Sequence, residues 1–311
     1  MLNIHIIGDG TILYSIKTLI ELHLDKFKDE VQVTCFGDHY LNPAYVRKFT
    51  PSLTFDDIIR KADIVICTNP IYEDDNIMGI CAEYNVPLIC TFRLAEKTKH
   101  PTNFILVDIN LQMAASDLWI KRLVDVSENL KSIKHFVGIS KLYDTGDDAL
   151  PGLTMEEYQQ ATDRVLGQPH LIRLQDQYYF ASETENWQEG DVDISTNWIA
   201  DSDRIDANRI SRETLTLFHT EIITNTNDME EDLVKHSHLA VPGRRSLPSW
   251  YYTNACVVCS FVYMWHKDFI PKGCTDYMQL DHNTFSNNVF GQIFRIASVS
   301  YTHLTLPTIA I

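Results

Sequence analysis

Short apolar runs with little in–out alternation, separated by stretches of helical periodicity, leave few architectures open to the first third of the chain. Residues 62–67 (ADIVIC) and 86–92 (VPLICTF) read as strands covered on both faces, and residues 3–7 (NIHII) as another compact apolar strand. Residues 31–36 alternate as a further strand ending at Gly37-Asp38, and residues 104–107 add a short last one. Between them Ile12, Ile16, Leu19, Ile20, Leu24 and Phe27 recur at helical spacing. Thr54 reads as the N-cap of a short helix over 55–61. Residues 74–84 and the amphipathic stretch 111–124 are read as further helices. Such alternation requires right-handed crossovers, so the predicted fold class is α/β with a doubly wound parallel sheet.

A length of 311 residues suits about two domains. Acidic, Gly and Pro punctuation near 143–152 marks the expected boundary: a nucleotide-binding domain over 1–143 and a second domain over 153–298. In the second domain, residues 170–174 and 178–181 read as strands, 182–206 as loop-rich, and 212–224 and 253–267 as helical. That domain is expected to be smaller, and α+β or mostly helical. Residues 299–308 (VSYTHLTLPT) resemble the translation of a sequencing-library adaptor, so 299–311 is read as a non-native tail and the natural chain as cut off near Ser298.

The chemistry-bearing pattern is the turn after the first strand. Gly8-Asp9-Gly10-Thr11 follows an apolar strand and opens a helix, where backbone amides and the helix dipole favour an anion. Gly8, Gly10 and Thr11 are candidate phosphate contacts, with Asp9 beside them. Asp38, after the second strand, is placed to accept from a ribose hydroxyl, and Thr68 and Asn69 follow the ADIVIC strand on the same ligand-binding edge. Two features run against the pattern. Leu13 stands where a third glycine is usual and would crowd helix–strand packing, and Asp9 adds negative charge.

Cys35, Cys67 and Cys90 lie near the ends of three successive strands, and Cys256-x-x-Cys259 sits on an apolar helical pattern. Both sets read as core packing, and no metal site is expected. His236 and His238 are two apart, so they share a face only if their segment is extended.

Asp and Glu outnumber Lys and Arg by 42 to 26, for a formal charge of −16, which disfavours nucleic acid and anionic membrane surfaces. No run approaches the roughly 18 apolar residues of a membrane span. Seven scattered cysteines fit reduced thiols, and a cytoplasmic location is expected.

IHIIGDG at the start, Ala62, Asp63, Val65 and Ile66, Asp75-Asn76, and Val86, Pro87, Ile89 and Arg93 together resemble the TrkA-N (RCK-type) NAD-binding family. The likeness continues through residues 103–124, so it covers roughly residues 2–124. It implies a Rossmann domain that binds NAD or NADP, or another adenine nucleotide, in a regulatory role. Residues 215–258 more faintly resemble the helical RyR-type repeat.

Saccharopine-dehydrogenase-like oxidoreductases share the glycine turn, the ADIVIC-type strand and a second domain entered through a strand like 133–139 (IKHFVGI). ThiF/E1-like enzymes share the VPLI strand but commonly carry paired zinc motifs. The main expectation is a nucleotide-sensing protein whose second domain receives the signal, with a homodimer or a protein partner left open. The alternatives are an NAD(P)-dependent oxidoreductase with His135, His170 or Tyr143 as acid–base group, and a scaffold without ligand.

Overall fold

The computed structural model describes residues 1–8, 10–27, 30–37, 46–47, 54–68, 76–92, 103–106, 109, 114–127, 129–141, 166–174, 177–200, 214–225, 232–244 and 247–295. The chain divides into two units, one of Met1–Leu118 with Tyr251–Arg295 and the other built on Trp119–Trp250. The linear split expected at 143–153 differs from this division, because the chain returns to the first unit after the second.

In the first unit, strands β1 (Leu2–Ile7), β2 (Val31–Phe36), β3 (Val46–Arg47), β4 (Ile64–Cys67), β5 (Leu88–Cys90) and β6 (Ile105–Leu106) form one sheet in the order β3-β2-β1-β4-β5-β6. Every pairing is parallel. This is the doubly wound arrangement read from the sequence. β4 and β5 are buried along their whole length, which explains why their residues do not alternate. Helix α1 (Gly10–Leu22) lays Ile12, Leu13, Ile16, Leu19 and Ile20 into the core. Thr54 caps α2 (Phe55–Ile59) by accepting from the Asp57 amide, as its sequence position implies. Helix α3 (Ile77–Glu83) follows β4.

Leu13 is 1% exposed. The packing that it was expected to obstruct is arranged around it.

Helix α5 (Ser249–His266) is apolar on nearly all sides, and from Tyr251 to Val262 every residue is buried. A helix with no polar face needs partners all round. Within the first unit it finds α1, where the Cys259 thiol donates to the Ile16 carbonyl at 3.8 Å. The segment after it closes the edge of the sheet: Ile105 N–H donates to Cys274 O at 3.1 Å, and Gly273 N–H to Asn103 O at 2.7 Å. The Tyr277 hydroxyl donates to Asp117 Oδ2 at 2.6 Å and so ties this segment to the start of α4 (Ala114–Val126). Near the end of the described chain, Asp281 caps α6 (His282–Asn287) by accepting from Thr284 N–H.

The second unit is a six-stranded mixed sheet in the order β12-β11-β7-β10-β9-β8. Its members are β7 (Leu130–Lys141), β8 (Leu166–Leu174), β9 (Gln177–Glu189), β10 (Val192–Ala200), β11 (Thr214–Asn225) and β12 (Asp232–Pro242). The β7–β10 pair is parallel and the others are antiparallel. Ile120 and Leu123 of α4 pack there with Ile133, Val192 and Ile194. The α+β expectation holds, with two local corrections. Residues 182–206 are strand over most of their described length rather than loop-rich. The helix expected over 212–224 is strand β11, where Thr216, Thr220, Ile222, Ile223 and Thr224 supply the β-branched character that favours a pleated surface. The stretch resembling a helical repeat is accordingly the hairpin β11–β12 followed by α5.

Candidate functional site

Strand order reverses between β1 and β4, which run side by side with Ile7 opposite Cys67. In open α/β sheets the crevice beyond the carboxyl ends at such a reversal is where ligands bind. Gly8 and Thr68 are the next residues beyond those ends. Gly8 N–H donates to Phe36 O at 3.0 Å, and Thr68 N–H to Ile7 O at 2.9 Å. The first ties the glycine turn to the end of β2, and the second sets the residue after β4 against the end of β1, beside Gly8.

A Cβ added to Gly8 would collide with the Thr68 side chain, chiefly its Oγ1. Glycine here permits the close approach of two chain segments. The Thr68 Oγ1 atom itself is buried and has no hydrogen-bond partner among the described residues. Gly10 opens α1 at φ +78°, in the left-handed region that a side chain disfavours. The first turn of α1 carries no acidic side chain, so its amide end keeps its positive character. The Ser15 hydroxyl donates to Thr11 O at 2.8 Å.

Of the seven candidate ligand residues, the structure places Gly8, Gly10, Thr11 and Thr68 at the carboxyl edge. Asp9, Asp38 and Asn69 lie outside the described residues. The thiols at the strand ends offer no obvious chemistry. Cys35, Cys67 and Cys90 are all buried, and burial pushes the Cys35 thiol up to about 12. Cys256 and Cys259 are buried too, so their C-x-x-C spacing is core packing as expected.

His135 fails as an acid–base group. It is fully buried in β7 with Nδ1 hydrogen-bonded to Thr220 Oγ1 at 2.7 Å. Desolvation, aided by nearby His219, lowers its pKa to about 3, so near neutrality the ring stays uncharged and is not the imidazolium that a general acid needs. His170 lies in β8 opposite Ala181, and Tyr143 lies outside the described residues.

Among the described residues, no group of three or more His, Cys, Asp or Glu side chains stands where it could hold a metal ion. No helix, among the described residues, is long and apolar enough to cross a membrane.

No protein-family model matches the chain, that of the TrkA-N family included, and no curated protein matches it. Solved structures do. Saccharopine dehydrogenase (L-Glu forming) from Saccharomyces cerevisiae superposes with a TM-score of 0.67 at 9% identity, over 92% of this chain and 96% of that one. An engineered D-amino acid dehydrogenase follows at TM-score 0.47 and 10% identity, covering 93% of this chain and 97% of that one. An oxidoreductase from Agrobacterium radiobacter, solved with NAD+, L-tartaric acid and magnesium, gives 0.43 and 10%, covering 92% and 93%. The chain has the fold of saccharopine dehydrogenase, a Rossmann sheet with a second, mixed-sheet unit.

Proposed function

We propose that this chain binds NAD(H) or NADP(H) at the turn between β1 and α1 and acts as a dehydrogenase of the saccharopine-dehydrogenase-like kind. The observation that carries this reading is Thr68 Oγ1, a buried hydroxyl without a partner among the described residues, set against a glycine that has no room for a side chain. A buried polar atom left unpaired costs about 1–3 kcal/mol, so one kept at a switch point is best explained by a ligand that pairs it. The residues present fit a dinucleotide. The amides opening α1 would hold the diphosphate, and Gly8 and Gly10 would let the backbone approach it. Thr68 would donate to a ligand oxygen, and Asp38 would accept from a ribose hydroxyl with Asn69 bordering the far side.

A bound nicotinamide dinucleotide supplies hydride transfer. The chain's own share is to bind and orient it, and to place a proton-carrying group by the second substrate. His135 is not that group. The regulatory role implied by the TrkA-N resemblance finds no support in the comparisons, whereas the likeness to saccharopine dehydrogenase spans nearly the whole chain.

The test is to titrate the protein with NADH and NADPH by nicotinamide fluorescence, then to follow coenzyme turnover across a panel of amino acids and keto acids. Saturable binding with turnover of at least one substrate is expected. Binding with no turnover across the panel would return the chain to the sensor reading.

A further inference from the structure

Helix α4 opens with Ala114, Ala115, Ser116 and Asp117. On the way to it, Ile109 N–H donates at 3.3 Å to the carbonyl of Cys90, the last residue of β5, so the chain passes over the carboxyl edge of the first unit's sheet before α4 begins. The amide end of α4 belongs to the same edge as that of α1, as for any helix that follows a parallel strand. The first four amides of a helix have no carbonyl partner within it, and they carry its positive end.

Ser116 is 1% exposed, and its Oγ atom is buried with no hydrogen-bond partner among the described residues. Two other buried helical serines of this unit behave differently. Ser15 donates to Thr11 O at 2.8 Å in α1, and Ser260 to Cys256 O at 2.7 Å in α5, in each case to the carbonyl four residues back. Ser116 is third in its helix, so the fourth residue back precedes the helix and offers no helical carbonyl. A helical side chain tilts toward the N-terminus, which sets the hydroxyl of a third residue over the first turn, beside the open amides.

We propose that the first turn of α4 binds one carboxylate group of the dehydrogenase's second substrate, with one oxygen accepting from the turn's amides and the other from the Ser116 hydroxyl. The substrate role rests on the dehydrogenase reading, whereas the site itself is tested without coenzyme. Charge decides between a carboxylate and a phosphate. Asp117 stands in the same turn, its carboxyl accepting from the Tyr277 hydroxyl at 2.6 Å, so the turn takes a singly charged group more readily than a doubly charged one. The first turn of α1 holds no acid and opens on glycine, which suits a diphosphate. The two helix ends thus divide the work, α1 taking the coenzyme's diphosphate and α4 the acid group of the substrate.

The experiment titrates the full chain with trifluoroacetate, a singly charged carboxylate read by fluorine NMR, at constant ionic strength. Saturable binding is expected, displaced by acetate and less well by equimolar phosphate. Ser116→Ala should weaken trifluoroacetate binding about tenfold or more, the usual worth of a hydrogen bond to a charged group. Because it deletes a buried hydroxyl that nothing pairs, the variant should melt no lower than the wild type, and its NADH affinity by nicotinamide fluorescence should be unchanged. Absence of NADH binding with trifluoroacetate still bound would sink the dehydrogenase reading and leave the carboxylate site in place. The proposal is overturned if trifluoroacetate does not bind, if phosphate displaces it better than acetate, or if folded Ser116→Ala binds it like the wild type.

Discussion

Thr68 Oγ1 occupies the space that a side chain on Gly8 would need, and so two residues 60 positions apart fix each other's identity. Gly8→Ala should destabilise the protein by about 1–3 kcal/mol, the usual cost of overpacking. Thr68→Ala removes the colliding atom, so the double variant should recover part of that loss. Chemical denaturation of the four proteins measures the coupling, and strict additivity would show that the two side-chain sites do not meet.

Leu13 stands at the third fingerprint position but belongs to the core at 1% exposure. Leu13→Ala should cost about 2–5 kcal/mol while leaving the coenzyme affinity of the folded protein unchanged. A thermal melt and a fluorescence titration separate the two. A large gain in affinity on truncation would mean that the leucine obstructs the cradle.

His135 makes stability depend on pH. Its folded pKa, about 3, lies below the ordinary histidine value of 6.5, so between these values the unfolded chain binds a proton that the folded chain does not. The stabilisation is complete above about pH 6.5 and is lost as pH falls toward 3, with an upper bound of roughly 5 kcal/mol. Urea midpoints across this range should fall with acid, and His135→Leu should flatten that part of the slope. An equal slope in the variant would assign the acid sensitivity to other groups.

Tyr277 donates to the buried Asp117 carboxyl at 2.6 Å. Tyr277→Phe keeps the ring and removes that donor, so a loss of about 1–3 kcal/mol is expected by denaturation. A loss within about 0.5 kcal/mol would show that the bond contributes little to holding the segment against α4.

The parallel sheet was legible because β4 and β5 are buried on both faces, and unbroken apolar sequence is what that requires. The second unit was less so. In β10, Asp193 is exposed while Ile194 is buried, a strand alternation that polar residues on both sides made look like loop. In β11 the repeated Thr and Ile residues carried the missed strand signal, which the helical reading of its leucines overrode. At the site, Gly8, Gly10 and Thr68 were readable from position after their strands. That Thr68 Oγ1 is buried and, among the described residues, unpaired was not, because it depends on β1 and β4 lying side by side. His135 was misjudged because its burial between β10 and β11 is set by strands far away in sequence.

The most direct measurement is titration calorimetry of the wild-type chain and Gly10→Glu with NAD+, NADH, NADP+, NADPH, ATP and AMP. At least one dinucleotide should bind the wild type with a dissociation constant below about 1 mM, as coenzyme and substrate affinities usually are. Gly10→Glu, which places a charged side chain at a left-handed position in the cradle, should bind none of them while still folding. Heats indistinguishable from dilution for all six ligands with the wild type, or equal affinity in the variant, would contradict the account.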